Sequence, residues 1–350
     1  MIGALVSRSA SLFASLFDIR TVGSHSDTAP NRARGVRPPK PDSLRYLPPP
    51  GLAGWSALPE RDRRLLEWLV VGEFMTADLA AALAYGSLRV AQRRLARLRQ
   101  YRLVTGFWTA NAQRPRGRYA YRLTDACRTE LEALVWGEMR PRRQPRGADR
   151  SIVHHLAVQD LLASFLRAAR PDHGLIAWLP ERICAAMFDG YLRPDAIAAV
   201  RLGNRLILLF IERDTGSERL AFLAAKARRY HAVLGARSEV QPAHLVFVTD
   251  SARRARSIVG ASSIAAARGS GPRVWAAGSG AVARDPWAAT WQSSDRPGDR
   301  MADFTGSDTT TDVPIVGPGC LLDPDQAPML DERALEFLPM LDHFRRRSGL

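Results

Sequence analysis

The chain has 350 residues and a formal net charge of +15, which allows two ordinary domains and favours a polyanionic partner. Residues 1–150 carry a charge of +13, residues 151–300 carry +7 and residues 301–350 carry −5. The three cysteines are far apart, which excludes a disulfide framework and a CxxC zinc site. No apolar run approaches the roughly 20 residues of a membrane span. We expect a cytoplasmic bacterial protein that binds nucleic acid, with a merely solubilising surface charge as the alternative.

Composition divides the chain into five segments. Residues 1–57 are basic and proline-rich and are predicted to be disordered, and residues 139–150 form a basic linker. Residues 292–350 are rich in Ser, Asp, Gly, Thr and Pro and predict an acidic, mostly disordered tail. Two domains are predicted between these segments, one at residues 58–138 and one at residues 151–291.

Three helices are predicted in the first domain. The first covers residues 61–71, the second follows Thr76 as its N-cap, and the third runs from the N-cap Ser87 to Tyr101. Apolar side chains recur at helical spacing along one side of the third helix, and basic and amide side chains lie on the opposite side. The apolar side consists of Ala91, Leu95 and Leu98, and the polar side of Arg89, Arg93, Arg97 and Gln100.

Two β-like runs follow, at residues 103–109 and 118–123, and the turn between them is rich in arginine. Three helices followed by a basic hairpin are the layout of a winged helix-turn-helix, whose third helix reads the major groove of double-stranded DNA with bidentate donors. A small helical domain with a solvated arginine face is the alternative. The residues predicted to bind DNA are Arg89, Arg93, Arg97, Gln100, Arg114, Arg116 and Arg118.

The second domain alternates helices with β-rich runs, which is typical of an α/β fold. Asp195 begins a β-like run, and a buried strand over residues 205–214 ends in Glu212 and Asp214, which project from the same side. If the two strands pair, three carboxylates meet at one end of a sheet and offer the oxygen ligands that Mg²⁺ prefers. The alternatives are an N-cap role for Asp214 and a salt bridge from Glu212 to an arginine.

Lysine occurs only twice in the chain, whereas arginine occurs 48 times. One of the two lysines, Lys226, lies in the helix predicted after the acidic strand, over residues 217–234. Because lysine is a compact charge that can change protonation state, Lys226 is a candidate to orient an attacking water or to stabilise a pentavalent phosphate. His154, at the start of an earlier helix, could complete the metal site or could be a structural histidine.

Several of these motifs, in this order, resemble the replication-relaxation family of plasmid and mobile-element proteins. The resemblance covers roughly residues 58–290, with motifs at residues 154–160, 194–195, 211–218 and 243–249 and a helix that contains Lys226 and Tyr230. It implies a restriction-endonuclease-like, PD-(D/E)xK domain behind the winged helix and a role in plasmid replication, DNA relaxation or mobilisation. The sequence departs from the acid–x–lysine pattern of such nucleases, because it reads Glu212-Arg213-Asp214.

Three functions remain open on the sequence. The first is a Mg²⁺-dependent, nuclease-like phosphodiesterase with Asp195, Glu212, Asp214 and Lys226 as catalytic residues, the three acids being the metal ligands. The second is an inactive DNA-binding protein that recruits a relaxase or a replication initiator. The third is a winged-helix transcription regulator whose second domain senses a ligand.

Overall fold

The protein is a mixed α/β structure with two β-sheets, seen here in a computed structural model. The predicted N-terminal segment, apart from residues 55 and 57, and residues 139–148 of the predicted linker lie outside the described part of the chain. The described residues are 55, 57–111, 114–136, 149–235, 243–266, 271–289, 291–293, 300–301, 304, 307–308, 315–323, 326–331, 334–335 and 341.

The first part of the chain consists of helices followed by a hairpin, as the residue pattern predicts. The N-caps Thr76 and Ser87 are confirmed, because their hydroxyl groups accept hydrogen bonds from the backbone N–H groups of Leu79 and Val90. A short π-helical turn, Ala81–Tyr85, follows the second helix. The elements are α1 (Glu60–Gly72), β1 (Met75–Thr76), α2 (Ala77–Ala80), α3 (Leu88–Gln100), β2 (Val104–Asn111), β3 (Arg114–Leu123) and α4 (Asp125–Trp136).

β3 is the central strand of the first sheet, with β1 and β2 antiparallel on its two sides. Both strands of the hairpin extend further into the predicted turn than the sequence suggests, because the β2–β3 pairing continues to Asn111 and Arg114 after a register shift. The sheet and the three helices share one apolar core.

The second part alternates strands and helices, which confirms the α/β prediction. The strand predicted at residues 205–214 is observed with the same bounds, and the helix predicted at residues 217–234 begins three residues later. The elements are α5 (Asp149–Arg167), β4 (His173–Pro180), α6 (Glu181–Met187), β5 (Ala196–Leu202), β6 (Arg205–Asp214), α7 (Leu220–Leu234), β7 (Ala243–Thr249), α8 (Ala252–Ala266), β8 (Arg273–Gly278), α9 (Ser279–Arg284), β9 (Gln292–Ser293) and β10 (Ser307–Asp308).

Among the described residues the second sheet has seven strands: six lie in the order β4-β5-β6-β7-β8-β9, and β10 pairs with the start of β6. β5 is antiparallel to both of its neighbours, β4 and β6, whereas β7 and β8 run parallel to β6. β6 and β7 are buried along almost their whole length, as expected for central strands covered on both faces. None of the helices in the described ranges is long and apolar enough to cross a membrane.

α5 joins the two parts of the chain. The Nε2 atoms of His155 and Gln159 lie 2.7 and 2.8 Å from the carbonyl oxygen of Gly72, at the end of α1. Gln159 also donates to the carbonyl of Phe74. Because α5 satisfies the last carbonyl of α1 and a carbonyl in the turn that follows it, the two parts are fixed together by polar contacts as well as by packing.

The described residues after β9 differ from the predicted disordered tail. The backbone N–H of Val316 donates to the carbonyl of Leu175 on β4 at 2.7 Å, and β10 pairs with β6. Phe304 stacks on Trp275 with ring centroids 4.0 Å apart. The apolar residues in this part are sparse, but they are buried because strands distant in sequence provide the surface on which they pack. They include Met301, Phe304, Val316, Leu321, Met329, Leu330 and Leu341.

Candidate functional site

The third helix, α3, has the two sides that the sequence predicts. Ala91, Leu95 and Leu98 are fully buried in the core. The four residues of the predicted DNA-reading side, Arg89, Arg93, Arg97 and Gln100, are all exposed. We refer to these four residues as the α3 polar face.

Arg97 is the one member of the α3 polar face for which a side-chain contact is seen within the described residues. Its Nε donates a hydrogen bond to the hydroxyl of Tyr101 at 2.6 Å, and its guanidinium lies 5.5 Å from the centre of the same ring. The contact is local to one helical turn, so the guanidinium stays at the surface.

Arg94, on the same helix, has a structural position instead. Its Nε donates to Oδ1 of Asp62 at 3.2 Å, and a second nitrogen pairs with Oδ2. The hydroxyl of Tyr85 donates to the same carboxylate at 2.8 Å, and Asp62 is completely buried. This cluster is not among the predicted sites, although an acid on the apolar side of the first helix, beside Leu65, Leu66 and Leu69, is a sequence signal for it.

One of the three hairpin arginines predicted to bind DNA, Arg118, has a partner within the protein. Arg118 binds Asp160 of α5 through two nitrogens, one of them 2.7 Å from Oδ1. The guanidinium of Arg118 therefore connects the hairpin to α5. The side chains of Arg114 and Arg116 lie outside the described residues.

Asp195 directly precedes β5 and lies beside the end of β6 that carries Glu212. β5 and β6 are antiparallel with Ala196 opposite Ile211, and the N–H of Asp195 donates to the carbonyl of Ile211 at 3.0 Å. The Asp195 carboxylate also lies against β6, because its Oδ2 is 2.6 Å from the N–H nitrogen of Arg213, the residue after Glu212. The sheet thus brings together two of the three predicted carboxylates.

Lys226 reaches these acids from α7. Its Nζ lies 2.5 Å from Oε2 of Glu212, and the hydroxyl of Tyr230, one helical turn later, donates to Oε1 at 2.6 Å. The predicted meeting of the helix lysine with the strand acid is therefore observed. Tyr230 belongs to the same cluster, although it is not among the predicted site residues.

His154 completes the cluster from α5. Its Nε2 lies 2.8 Å from Oδ1 of Asp195, whereas Oδ2 accepts a hydrogen bond from the N–H of Arg213 at 2.6 Å. Burial alone would lower the pKa of His154, but Asp195 raises it above its ordinary value. Burial would likewise raise the pKa of Asp195, but the histidine holds it below its ordinary value. The two groups thus favour a charged pair.

Glu212 and Lys226 form a second, more deeply buried pair. Burial raises the pKa of Glu212 to about 8, even though the nearby ammonium opposes the shift. Burial opposes the charge of Lys226 as well, but Glu212 and Asp195 outweigh it and raise the lysine pKa above its ordinary value. We call the set His154, Asp195, Glu212, Lys226 and Tyr230 the acid–lysine cluster.

Asp214, the third predicted acid, lies outside the acid–lysine cluster. Arg254 of α8 binds both of its oxygens, at 2.7 and 3.3 Å, and the N–H of Gly216 donates to Oδ1 at 3.1 Å. Within the described ranges, no three His, Cys, Asp or Glu side chains are grouped so that they could hold a metal ion. The predicted convergence of three acids is thus corrected to two, because a distant arginine neutralises Asp214.

A small cleft opens beside the cluster, between α1 and α5. Its polar lining includes His154, His155, Gln159, Glu181 and Asp195. Burial, together with the nearby Asp195, raises the pKa of Glu181. Glu181 is not among the predicted site residues, because it follows Pro180 at the start of α6 and no motif distinguishes it from other acids at helix starts.

The sequence model of one protein family, described as replication-relaxation, matches residues 66–249. The matched region contains α3, the hairpin and the whole acid–lysine cluster. No curated protein and no solved structure matches the chain.

Proposed function

Since the chain belongs to the replication-relaxation family, we propose that it is a double-stranded-DNA-binding protein that acts in the replication, relaxation or mobilisation of plasmid or other mobile DNA. The observation that carries this proposal is the α3 polar face. Its arginines are exposed on one side of a helix whose other side is fixed in the core. Such a helix can enter the major groove without rearrangement of its domain.

The surroundings of α3 support the same proposal. Three helices precede an antiparallel hairpin that pairs with β1, which is the arrangement expected of a winged helix-turn-helix. An exposed guanidinium can donate two hydrogen bonds to one guanine, and the basic charge of residues 1–150 favours contact with phosphates.

The test compares Arg93→Ala with Arg256→Ala, which removes the same charge from an exposed position on α8. Arg93→Ala is expected to weaken binding to duplex DNA by about 1–3 kcal/mol. Arg256→Ala is expected to change binding only through the net charge. Binding is measured by fluorescence anisotropy at several salt concentrations. Equal losses in the two variants would show that α3 does not read DNA.

Hydrolysis of a phosphodiester bond is the second candidate function, and the convergence of Asp195, Glu212 and Lys226 favours it. Two carboxylates suit Mg²⁺, which proteins commonly hold through one or two carboxylates together with water and substrate phosphate. Among the described residues each oxygen of the two acids has one hydrogen-bond partner, and a carboxylate oxygen has a second lone pair with which it can bind a ligand. Asp195 and Glu212 would hold the ion, which would supply an activated water and neutralise phosphate charge.

The side chains of this chain have their own parts in such a reaction. Lys226 places a positive charge beside Glu212, where it can stabilise the additional charge on a phosphate. Tyr230 fixes one oxygen of Glu212, and His154 fixes one oxygen of Asp195. The lysine comes from α7 rather than from β6, where Asp214 occupies the position that acid–x–lysine nucleases give to lysine.

Nicking of supercoiled plasmid with Mg²⁺ tests the second candidate. Asp195→Asn and Glu212→Gln should abolish nicking, whereas Asp172→Asn, which changes an exposed acid outside the cluster, should preserve it. Nicking that survives both cluster substitutions would contradict the site. Normal DNA binding with no nicking by the unmodified protein would instead select the non-enzymatic role, in which the second domain grips DNA or recruits a relaxase or replication initiator.

A further inference from the structure

The hairpin carries a stripe of aromatic side chains that extends from the core to solvent. Trp108 on β2 lies opposite Tyr119 on β3, with ring centroids 5.1 Å apart and the rings nearly perpendicular. Tyr119 contacts Tyr121 in the same edge-on manner, also at 5.1 Å. Tyr121 is buried, Tyr119 is half-buried and Trp108 is 68 % exposed. The outermost ring is therefore supported from below and open to solvent.

The positions of these rings are fixed by their neighbours. The hydroxyl of Tyr119 lies 2.5 Å from a guanidinium nitrogen of Arg99, at the end of α3. A Cβ atom at Gly106 would lie 2.2 Å from the same hydroxyl, so glycine provides the space in which the Tyr119 ring lies. Strand, helix end and glycine together fix the Tyr119 ring, which contacts both Trp108 and the Arg99 guanidinium of α3.

The other face of the hairpin is already occupied. Phe107 and Ala120 pack there against Phe74 and Leu156. Arg118 extends from the hairpin to Asp160 of α5. The face with Trp108 is therefore the one that remains available to a ligand.

We propose that Trp108 stacks on an unpaired base of single-stranded DNA next to the duplex that α3 contacts. This inference rests on the proposed DNA-binding function and specifies its substrate as a junction between single and double strands. A base in a duplex shows only its edges, whereas an unpaired base offers the flat face on which an indole can stack. The exposed arginines of α3 supply the positive charge that holds the neighbouring phosphates.

The test uses the full chain and a forked DNA with 2-aminopurine as the first unpaired base, because stacking quenches the fluorescence of this base. The unmodified protein should quench the probe and bind the fork more tightly than the matching duplex. Trp108→Ala should weaken fork binding about 5- to 150-fold and abolish quenching. Trp108→Phe should retain part of both. Tyr191→Ala, which removes a 71 % exposed aromatic from the second part, serves as the matched control.

Duplex binding separates this inference from the proposed function. Trp108→Ala should leave duplex affinity within about twofold of the original, whereas Arg93→Ala should lower it. An equal loss of duplex and fork affinity in Trp108→Ala would overturn the inference in favour of insertion into a groove. Equal effects of Trp108→Ala and Tyr191→Ala, or no preference for the fork, would also overturn it. Unchanged duplex binding by Arg93→Ala alone would refute the role of α3 but leave the stacking site intact.

Discussion

Arg93 and Arg94 are neighbours on α3, and the structure predicts opposite effects for their substitution. Arg93 is exposed on the α3 polar face, whereas Arg94 is paired with the completely buried Asp62. Replacing Arg94 by alanine would leave the Asp62 carboxylate buried with the Tyr85 hydroxyl as its one remaining side-chain donor among the described residues. The same substitution at Arg93 removes a side chain that makes no contact within the described residues.

The expected magnitudes differ accordingly. Removing one partner of a buried ion pair costs about 3–5 kcal/mol, because the remaining charge stays desolvated. An exposed substitution usually changes stability by less than about 0.5 kcal/mol. With a urea m-value of about 3 kcal/mol/M, the unfolding midpoint of Arg94→Ala should fall by roughly 1–2 M. Arg93→Ala should unfold at nearly the original midpoint and yet bind duplex DNA more weakly.

Urea unfolding, followed by far-ultraviolet circular dichroism, measures both variants. A third protein combines Asp62→Leu, Tyr85→Phe and Arg94→Met and so removes every charge and hydroxyl group from these three side chains. It should recover most of the stability, because apolar replacement of a whole buried ion pair is often neutral. Equal midpoints for Arg93→Ala and Arg94→Ala, or a triple variant as unstable as Arg94→Ala, would show that the unpaired charge of Asp62 is not what destabilises Arg94→Ala.

Three further predictions concern the acid–lysine cluster. Between about pH 4.5 and 8 the folded state holds a proton on Glu212 that the unfolded chain has lost. The free energy of unfolding should therefore fall as pH rises, by up to about 1.4 kcal/mol per pH unit. Urea titrations at several pH values measure this slope, and Glu212→Gln should flatten it. Because the pKa of His154 is raised, its protonation stabilises the fold fully below about pH 6.5, and this stabilisation is lost as pH rises through the raised pKa. His154→Asn should therefore reduce the part of the pH slope of the unfolding free energy that lies above pH 6.5. An unchanged slope would contradict the pair with Asp195. Lys226→Met should lower the free energy of unfolding by about 1–3 kcal/mol at pH 9. The loss should be smaller at pH 6, because Glu212 keeps its proton there. Equal losses at both pH values would show that Lys226 and Glu212 are not coupled.

The sequence by itself determined the local elements. Helical spacing of Ala91, Leu95 and Leu98 predicted which side of α3 is buried, and the hydroxyl groups of Thr76 and Ser87 predicted where two helices begin. The run of β-branched and apolar residues predicted β6 with its observed bounds. These features could be read because periodicity and capping depend on residues within a few positions of one another.

Only the tertiary structure decided which charged side chains are available to a ligand. Asp214 meets Arg254, Arg118 meets Asp160 and Arg94 meets Asp62, in each case across at least 30 residues of sequence. The local pattern around each of these residues looks the same whether the charge faces solvent, a ligand or an opposite charge. Lys226 and Glu212 could be paired in advance only because lysine is so scarce in this chain. Folding brings distant charges together, and burial makes an unpaired charge too costly to leave, so the partners of these groups are set by the packing of whole elements.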